Sequence, residues 1–241
     1  MNKLEILYKD ENFVAINKPS GLLVHRSPIA KKEKKFALQM VRNQIGQRVY
    51  PVHRLDRPTS GVLLFALTPK IAKKTALLFQ THQIRKKYLA VVRGYIPKQG
   101  TINHPVKEVK DRYIRRQTKQ ENKTYPAVTD FKRLATIELP FAIDKYPTSR
   151  YSLAELIPKT GRRHQLRRHM KHLSHPIIGD TRYGKDIHNK FFFNQFHCKR
   201  LLLAAIEIMF IHPMTGTDIY ITAALDGEFS SIIQQFNWNK I

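Results

Sequence analysis

The chain has 241 residues, 42% of them hydrophobic and 10% aromatic, enough to bury a core as one large domain or two small ones and too apolar for a disordered protein. Lys and Arg number 43 against 18 Asp and Glu, a formal charge of +25 at pH 7, and such an excess repels itself in a folded chain unless a polyanion screens it, which makes nucleic acid the leading partner. The single cysteine, Cys198, excludes an internal disulfide, and the first residues lack the basic head and apolar core of a secretory leader, so a cytoplasmic protein is expected. The longest apolar run, LLLAAIEIMFI at 201–211, contains Glu207 and falls short of the ~20 residues that a bilayer-spanning helix needs, so no membrane partner is expected.

In chain order, apolar runs at 4–8 and 13–17 read as strands. KKEKK at 31–35 is a charge run of the kind that usually makes a solvated face. HRLDRPTSG at 53–61 carries a Pro-Thr-Ser-Gly turn signal, followed by a buried strand at 62–67. Thr68-Pro69 predicts a helix start, with Ile71, Ala72 and Leu78 or Phe79 along one face. A strand is predicted at 88–92, with Tyr88 at its start between Lys86, Lys87 and Arg93. Residues 107–128 are polar, basic and without apolar period, which predicts a long loop or hairpin excursion suited to nucleic acid.

A further strand at 151–157 precedes a helix from about 163 to 173, where Leu166, Met170 and Leu173 recur at i, i+4 and i+7. The last strands are IEIMFIH (206–212) and DIYITA (218–223). Strands outnumber helices without alternating with them, which predicts one α+β domain: a mixed, largely antiparallel sheet flanked by helices and loops.

Asp56 sits where a rigid strand begins, a common place for a catalytic group, and its bland alternative is a surface pair with Arg54 or Arg57. The predicted helix sets Arg163, Arg167 and Lys171 in a basic stripe that can meet phosphates or one carboxylate. His164, His169, His172 and His175 do not share a helical face and no cysteine or carboxylate cluster joins them, so no metal site is read there. Phosphate-loop, dinucleotide, nucleophile-elbow and zinc-protease motifs are all missing, and no cofactor is expected. Tyr88 is either a core sheet residue or an aromatic that stacks on a nucleobase.

INKPSGLLVH (16–25), HRLDRPTSG (53–61), KKYLAVVRG (86–94), TGRRHQLRRHMKHLSHPIIGD (160–180) and HPMTG (212–216) follow one another in a way that resembles the RluA-type pseudouridine synthase family, over nearly the whole chain. The resemblance implies the pseudouridine synthase catalytic fold and an isomerase that detaches uracil from C1′ of a uridine in RNA and rejoins it through C5. It implies Asp56 as the catalytic carboxylate and Tyr88 as the tyrosine that stacks on the base and assists proton removal. Arg167 becomes the arginine paired with the aspartate, Arg54 the residue that enters the RNA stack, and Leu166 a wall of the base pocket. His53, Arg57, Arg162 and Arg163 join Arg54 as expected RNA contacts.

The resemblance is greatest to the tRNA pseudouridine-65 synthase (TruC) branch, with tRNA as the expected partner, a monomer as the expected state, and no room before residue 17 for an S4 RNA-binding domain. The alternatives are the same chemistry on ribosomal RNA, or a non-catalytic RNA-binding or ribosome-assembly protein. One departure is Ala204, where relatives usually have His.

Overall fold

The structure, a computed structural model, describes residues 3–26, 33–107 and 123–240. Strands β1 (Ile6–Lys9) and β2 (Phe13–Lys18) form a hairpin whose turn is fixed by Asp10, since Oδ1 accepts from the backbone N–H groups of Asn12 and Phe13 at 2.7 and 2.6 Å. Helix α1 (Ala37–Ile45) follows and stops at Gly46, which adopts φ 68° and donates to the Arg42 carbonyl. After the short β3 (Tyr50–Pro51) comes β4 (Ser60–Ala66), buried at every residue. Helix α2 (Pro69–Gln80) begins as predicted, with Pro69 in its first turn and Thr68 Oγ1 accepting from Ile71 N at 3.3 Å.

The central strand β5 (Arg85–Arg93) leads to β6 (Gln99–Asn103) and β7 (Val106–Lys107). Past residues outside the described set come β8 (Thr124–Tyr125), β9 (Val128–Leu139) and β10 (Ser149–Pro158). The rest is α3 (Gln165–His172), α4 (Asp186–Phe196), β11 (Leu203–Ile211), β12 (Asp218–Thr222) and α5 (Gly227–Gln235).

Ten strands form one sheet in the order β1-β2-β4-β11-β5-β10-β9-β6, with β12 on β11 and β3 on β4; β7 and β8 pair separately. Among the described residues the β4–β11 pairing is parallel and the others are antiparallel. This is the predicted α+β architecture. Strand β4 reads as an unbroken apolar run because both its faces are covered. Leu63 and Phe65 pack with Val41 of α1, while Val62 and Leu64 pack with Ile71 of α2. Helix α3 covers a third cluster through Leu166 and Met170, and α4 and α5 cover a fourth through Phe192, Phe229 and Ile232.

The late strand β11 inserts between β4 and β5, and this crossover brings the chain preceding β4 beside Tyr88. Gly61 makes the insertion possible: its φ is +108°, and a Cβ there would lie 2.0 Å from the Ala205 carbonyl oxygen.

Three expectations change. The helix begins at Gln165, because Gln165 N closes a turn on Arg162 O (3.0 Å) and His164 is left-handed at φ 56°. Arg163 is therefore outside the helix, Arg167 is buried and Lys171 exposed, so the basic stripe does not form. Tyr88 lies within its strand rather than at its start. Of the predicted basic excursion, residues 108–122 lie outside the described residues, as do residues 31 and 32 of the charge run.

Candidate functional site

A cleft of about 580 Å³ opens between the C-terminal end of α2 and β5 on one side and the end of β10 with the segment entering α3 on the other. Residues 52–56 and Thr59 contribute to its lining. Asp56 is the one carboxylate among the cleft-lining residues, beside the cations of Arg54, Lys86, Arg162 and Arg167.

The loop bearing Asp56 is held on three sides. Thr59 N donates to Asp56 O at 3.1 Å, closing a turn. The fully buried Lys18 donates from Nζ to the carbonyls of Pro19, Leu22 and Arg57 at 2.9, 2.9 and 3.1 Å. Ser20 Oγ donates to Pro58 O at 2.8 Å. The Asn-Lys-Pro-Ser-Gly segment is thus the buttress of the aspartate loop.

Arg167 reaches this loop from α3. Its Nη1 donates to Asp56 Oδ2 at 3.2 Å, while Nε and Nη2 make two parallel 2.8 Å bonds to Asp180. Asp180, 1% exposed, also accepts from the backbone N–H groups of Arg182 and Tyr183 at 2.9 Å each. Burial works against its carboxylate, but Arg167 and these N–H groups outweigh it and hold the pKa below the usual carboxylate value.

A second route closes on Asp56. The Tyr183 ring lies under the Arg167 guanidinium, 5.2 Å away, and its hydroxyl is 3.0 Å from His164 Nδ1. His164 Nε2 lies 3.8 Å from Asp56 Oδ1. Burial lowers the His164 pKa to about 4, with Asp56 opposing and Arg167, Arg163 and Arg182 adding to the fall, so the imidazole is neutral at pH 7.

Tyr88 stands across from Ala205 of β11 and Leu156 of β10. Burial, and then the charge of Asp56, push its phenol above the ordinary tyrosine value, so it is protonated through the neutral range. Gln165 fixes the opposite wall: Oε1 accepts from Thr160 Oγ1 (2.7 Å) and Arg162 N (3.0 Å), and Nε2 donates to Val128 O and Thr129 Oγ1.

This arrangement joins one aspartate, a clamped arginine, a neutral tyrosine and a cationic rim in a cleft sized for a nucleotide. A profile of the RNA pseudouridylate synthase family matches residues 12–172. The chain belongs to that family. A tRNA pseudouridine synthase C from Vibrio parahaemolyticus is 48% identical over 238 residues, covering 99% of this chain and 97% of that protein. Its namesake from Haemophilus influenzae is 47% identical over 239 residues, covering 99% and 100%. Among solved structures, human RNA Pseudouridylate Synthase Domain Containing 4 aligns with a TM-score of 0.71 at 25% identity, over 97% of this chain and 93% of that one. Human RNA Pseudouridylate Synthase Domain Containing 1 shares the fold at a TM-score of 0.68 and 23% identity, over 98% and 95%.

In this pseudouridylate synthase the cleft gathers most of the residues singled out by sequence. Asp56, Tyr88, Arg167, Arg54, Leu166, Arg162 and His53 all line it. His53 is a wall residue: its ring stacks on Phe79 at 5.1 Å and its Nε2 accepts from Leu64 N at 2.9 Å. Arg162 donates to Pro126 O and lies 5.4 Å from the Tyr125 ring, at the base of the predicted excursion. Arg57 is turned away, paired with Glu33 at 2.6 Å, and Arg163 is half-buried outside the cleft lining. The local pairing of Asp56 with Arg54 or Arg57 gives way to Arg167.

Sequence reading did not assign roles to Asp180, Tyr183 or Gln165. The first and last lie inside the quoted motif, but nothing local marks their side chains as buried and bonded. Apart from His164, the histidines of the 160–180 segment lie outside the cleft lining: His169 is buried between Thr129 Oγ1 and the His104 carbonyl, His172 stacks on His104, and His175 bonds the Arg93 carbonyl. No metal-ligand cluster occurs among the described residues. Ala204 packs in the apolar cluster with Val91 and Leu153, whereas its neighbour Ala205 is the one opposite Tyr88.

Proposed function

We propose that this cleft converts a uridine of tRNA, at position 65, to pseudouridine. The observation that carries the site assignment is Asp56, the sole carboxylate of the cleft lining, held by Arg167, which Asp180 clamps from behind. Support for tRNA as substrate comes from full-length relatives bearing that name at 47 to 48% identity.

A base inside a helix must be extruded, at a cost of a few kcal/mol. Arg54, exposed at the mouth, fills the gap left in the stack, and Tyr88 and Leu166 receive the base; stacking on an aromatic contributes roughly 1–3 kcal/mol. Asp56 acts on the nucleoside as the C1′–N1 bond breaks, and Arg167 keeps its carboxylate oriented. After the uracil turns and C1′–C5 forms, the C5 proton leaves and N1 gains one, so atoms balance without a co-reactant. A neutral Tyr88 relays that proton through its hydroxyl rather than taking it as a phenolate.

The test is pseudouridine mapping on an unmodified tRNA transcript after incubation with wild type or Asp56→Asn. The expected product is one pseudouridine, at position 65, formed only by wild type. Modification of ribosomal RNA with none in tRNA overturns the substrate; equal modification by the variant overturns the site.

A further inference from the structure

Lys86 and Lys87 are successive residues of β5, so they project to opposite faces of the sheet. Lys87 Nζ lies 3.1 Å from Glu207 and 3.6 Å from Glu155, and its pKa rises through the Glu207 contact. Lys86 turns into the cleft with Tyr88. Its ammonium lies over the Phe79 ring, 5.8 Å from the centroid, and among the described residues it meets no hydrogen-bond acceptor and no carboxylate. Burial lowers its pKa with no charged group to offset the fall.

A capping role for Lys86 at the end of α2 does not account for it. The terminal carbonyls of Leu77, Leu78 and Phe79 already accept from the N–H groups of Thr81, Gln83 and His82. Nor is the cleft's aspartate available, being held by Arg167 on one oxygen and facing His164 with the other. A desolvated ammonium without an acceptor is costly, and the cost is recovered when an anion arrives. Uracil is neutral; the anionic group that RNA brings to this wall is its phosphodiester.

We infer that Lys86, backed by Phe79, forms a subsite for a phosphodiester of the RNA strand beside the extruded uridine. The inference rests on the reading of this cleft as the RNA site.

The experiment measures Kd for a tRNA transcript against salt concentration. Lys86→Met keeps the stem over Phe79 and removes the charge. It is expected to weaken binding about tenfold at low salt. It also flattens the log–log salt slope by about 0.7–0.9, so the gap from wild type shrinks about threefold between roughly 50 and 200 mM. Lys86→Arg retains the wild-type slope. An unchanged slope in Lys86→Met overturns the subsite, since neither a contact to a base carbonyl nor a packing role releases a counterion.

A single methylphosphonate placed in turn at each linkage flanking the uridine removes any dependence on the variant's folding. One linkage should weaken wild type and leave Lys86→Met no weaker; additive losses at every linkage overturn the subsite. If Arg54→Ala and Arg162→Ala lower the slope and Lys86→Met does not, the subsite alone falls. If none of the three changes it, the cleft is not the RNA face and the proposed function falls with it.

Discussion

Arg167 serves two carboxylates unequally. The bidentate pair with Asp180 is buried and further bonded by two backbone N–H groups, whereas Asp56 has a single 3.2 Å bond and a side chain 19% exposed to the cleft. Asp180 is the anchor, and Asp56 is the carboxylate that faces the cleft. Replacing Asp180 by Asn leaves the Arg167 charge with one carboxylate, and removing one partner of a buried pair costs roughly 3 kcal/mol. The expected result is a lower denaturant midpoint and slower turnover in the surviving fold; a variant as stable and as active as wild type contradicts the anchoring role. At residue level the Arg167–Asp56 pair followed from the family resemblance, whereas the Asp180 clamp had no mark of its own. Asp56 has arginines on both sides in sequence, and local reasoning pairs it with them. Its actual partner lies 111 residues away and is brought there by α3, while the neighbouring Arg57 is spent on Glu33.

Elements were legible where burial is uniform or periodic. β2, β4 and β11 read as strands because their apolar runs are covered on both faces, and α2 declared itself through Thr68-Pro69. Helix α1 did not, since only Ala37 and Val41 of its nine residues are buried and Gln, Arg and Asn occupy much of the rest. Strand β9 hid for a related reason: it is half-exposed and carries Asp130, Lys132, Arg133 and Glu138 among its apolar residues. Helix α3 was found from Leu166 and Met170, but its buried set also includes Gln165, Arg167 and His169, polar side chains whose partners come from β9, the 160–162 turn and Asp180. Apolar periodicity alone therefore misplaced its start, and the left-handed His164 that points Arg163 out of register has no sequence mark of its own.

At the scale of the whole molecule, a ten-stranded sheet brings the 53–61, 86–94 and 160–180 motifs to a single cleft, and no helix among the described residues is long and apolar enough to cross a membrane. The same packing leaves several histidines buried and neutral. Burial lowers His53 to about 3, with Lys86 adding to the fall, and lowers His164 and His188 to about 4. In the unfolded chain each titrates near 6.5. Between about 4 and 6.5 the unfolded state therefore binds protons that the folded state refuses. Their contribution to stability is full above 6.5 and drains as the pH falls toward 4. Calorimetry should show the thermal midpoint dropping across that window; a flat midpoint contradicts the buried, neutral assignment.

Asp56 is the lone carboxylate among the lining residues of a cationic cleft in a pseudouridylate synthase. The direct measurement is tritium release from tRNA labelled at C5 of uridine, since every conversion must expel that hydrogen. Wild type should release tritium, whereas Asp56→Asn should be slower by at least about a thousandfold while still binding the same tRNA. Release by the variant at the wild-type rate contradicts the claim that this aspartate carries the reaction.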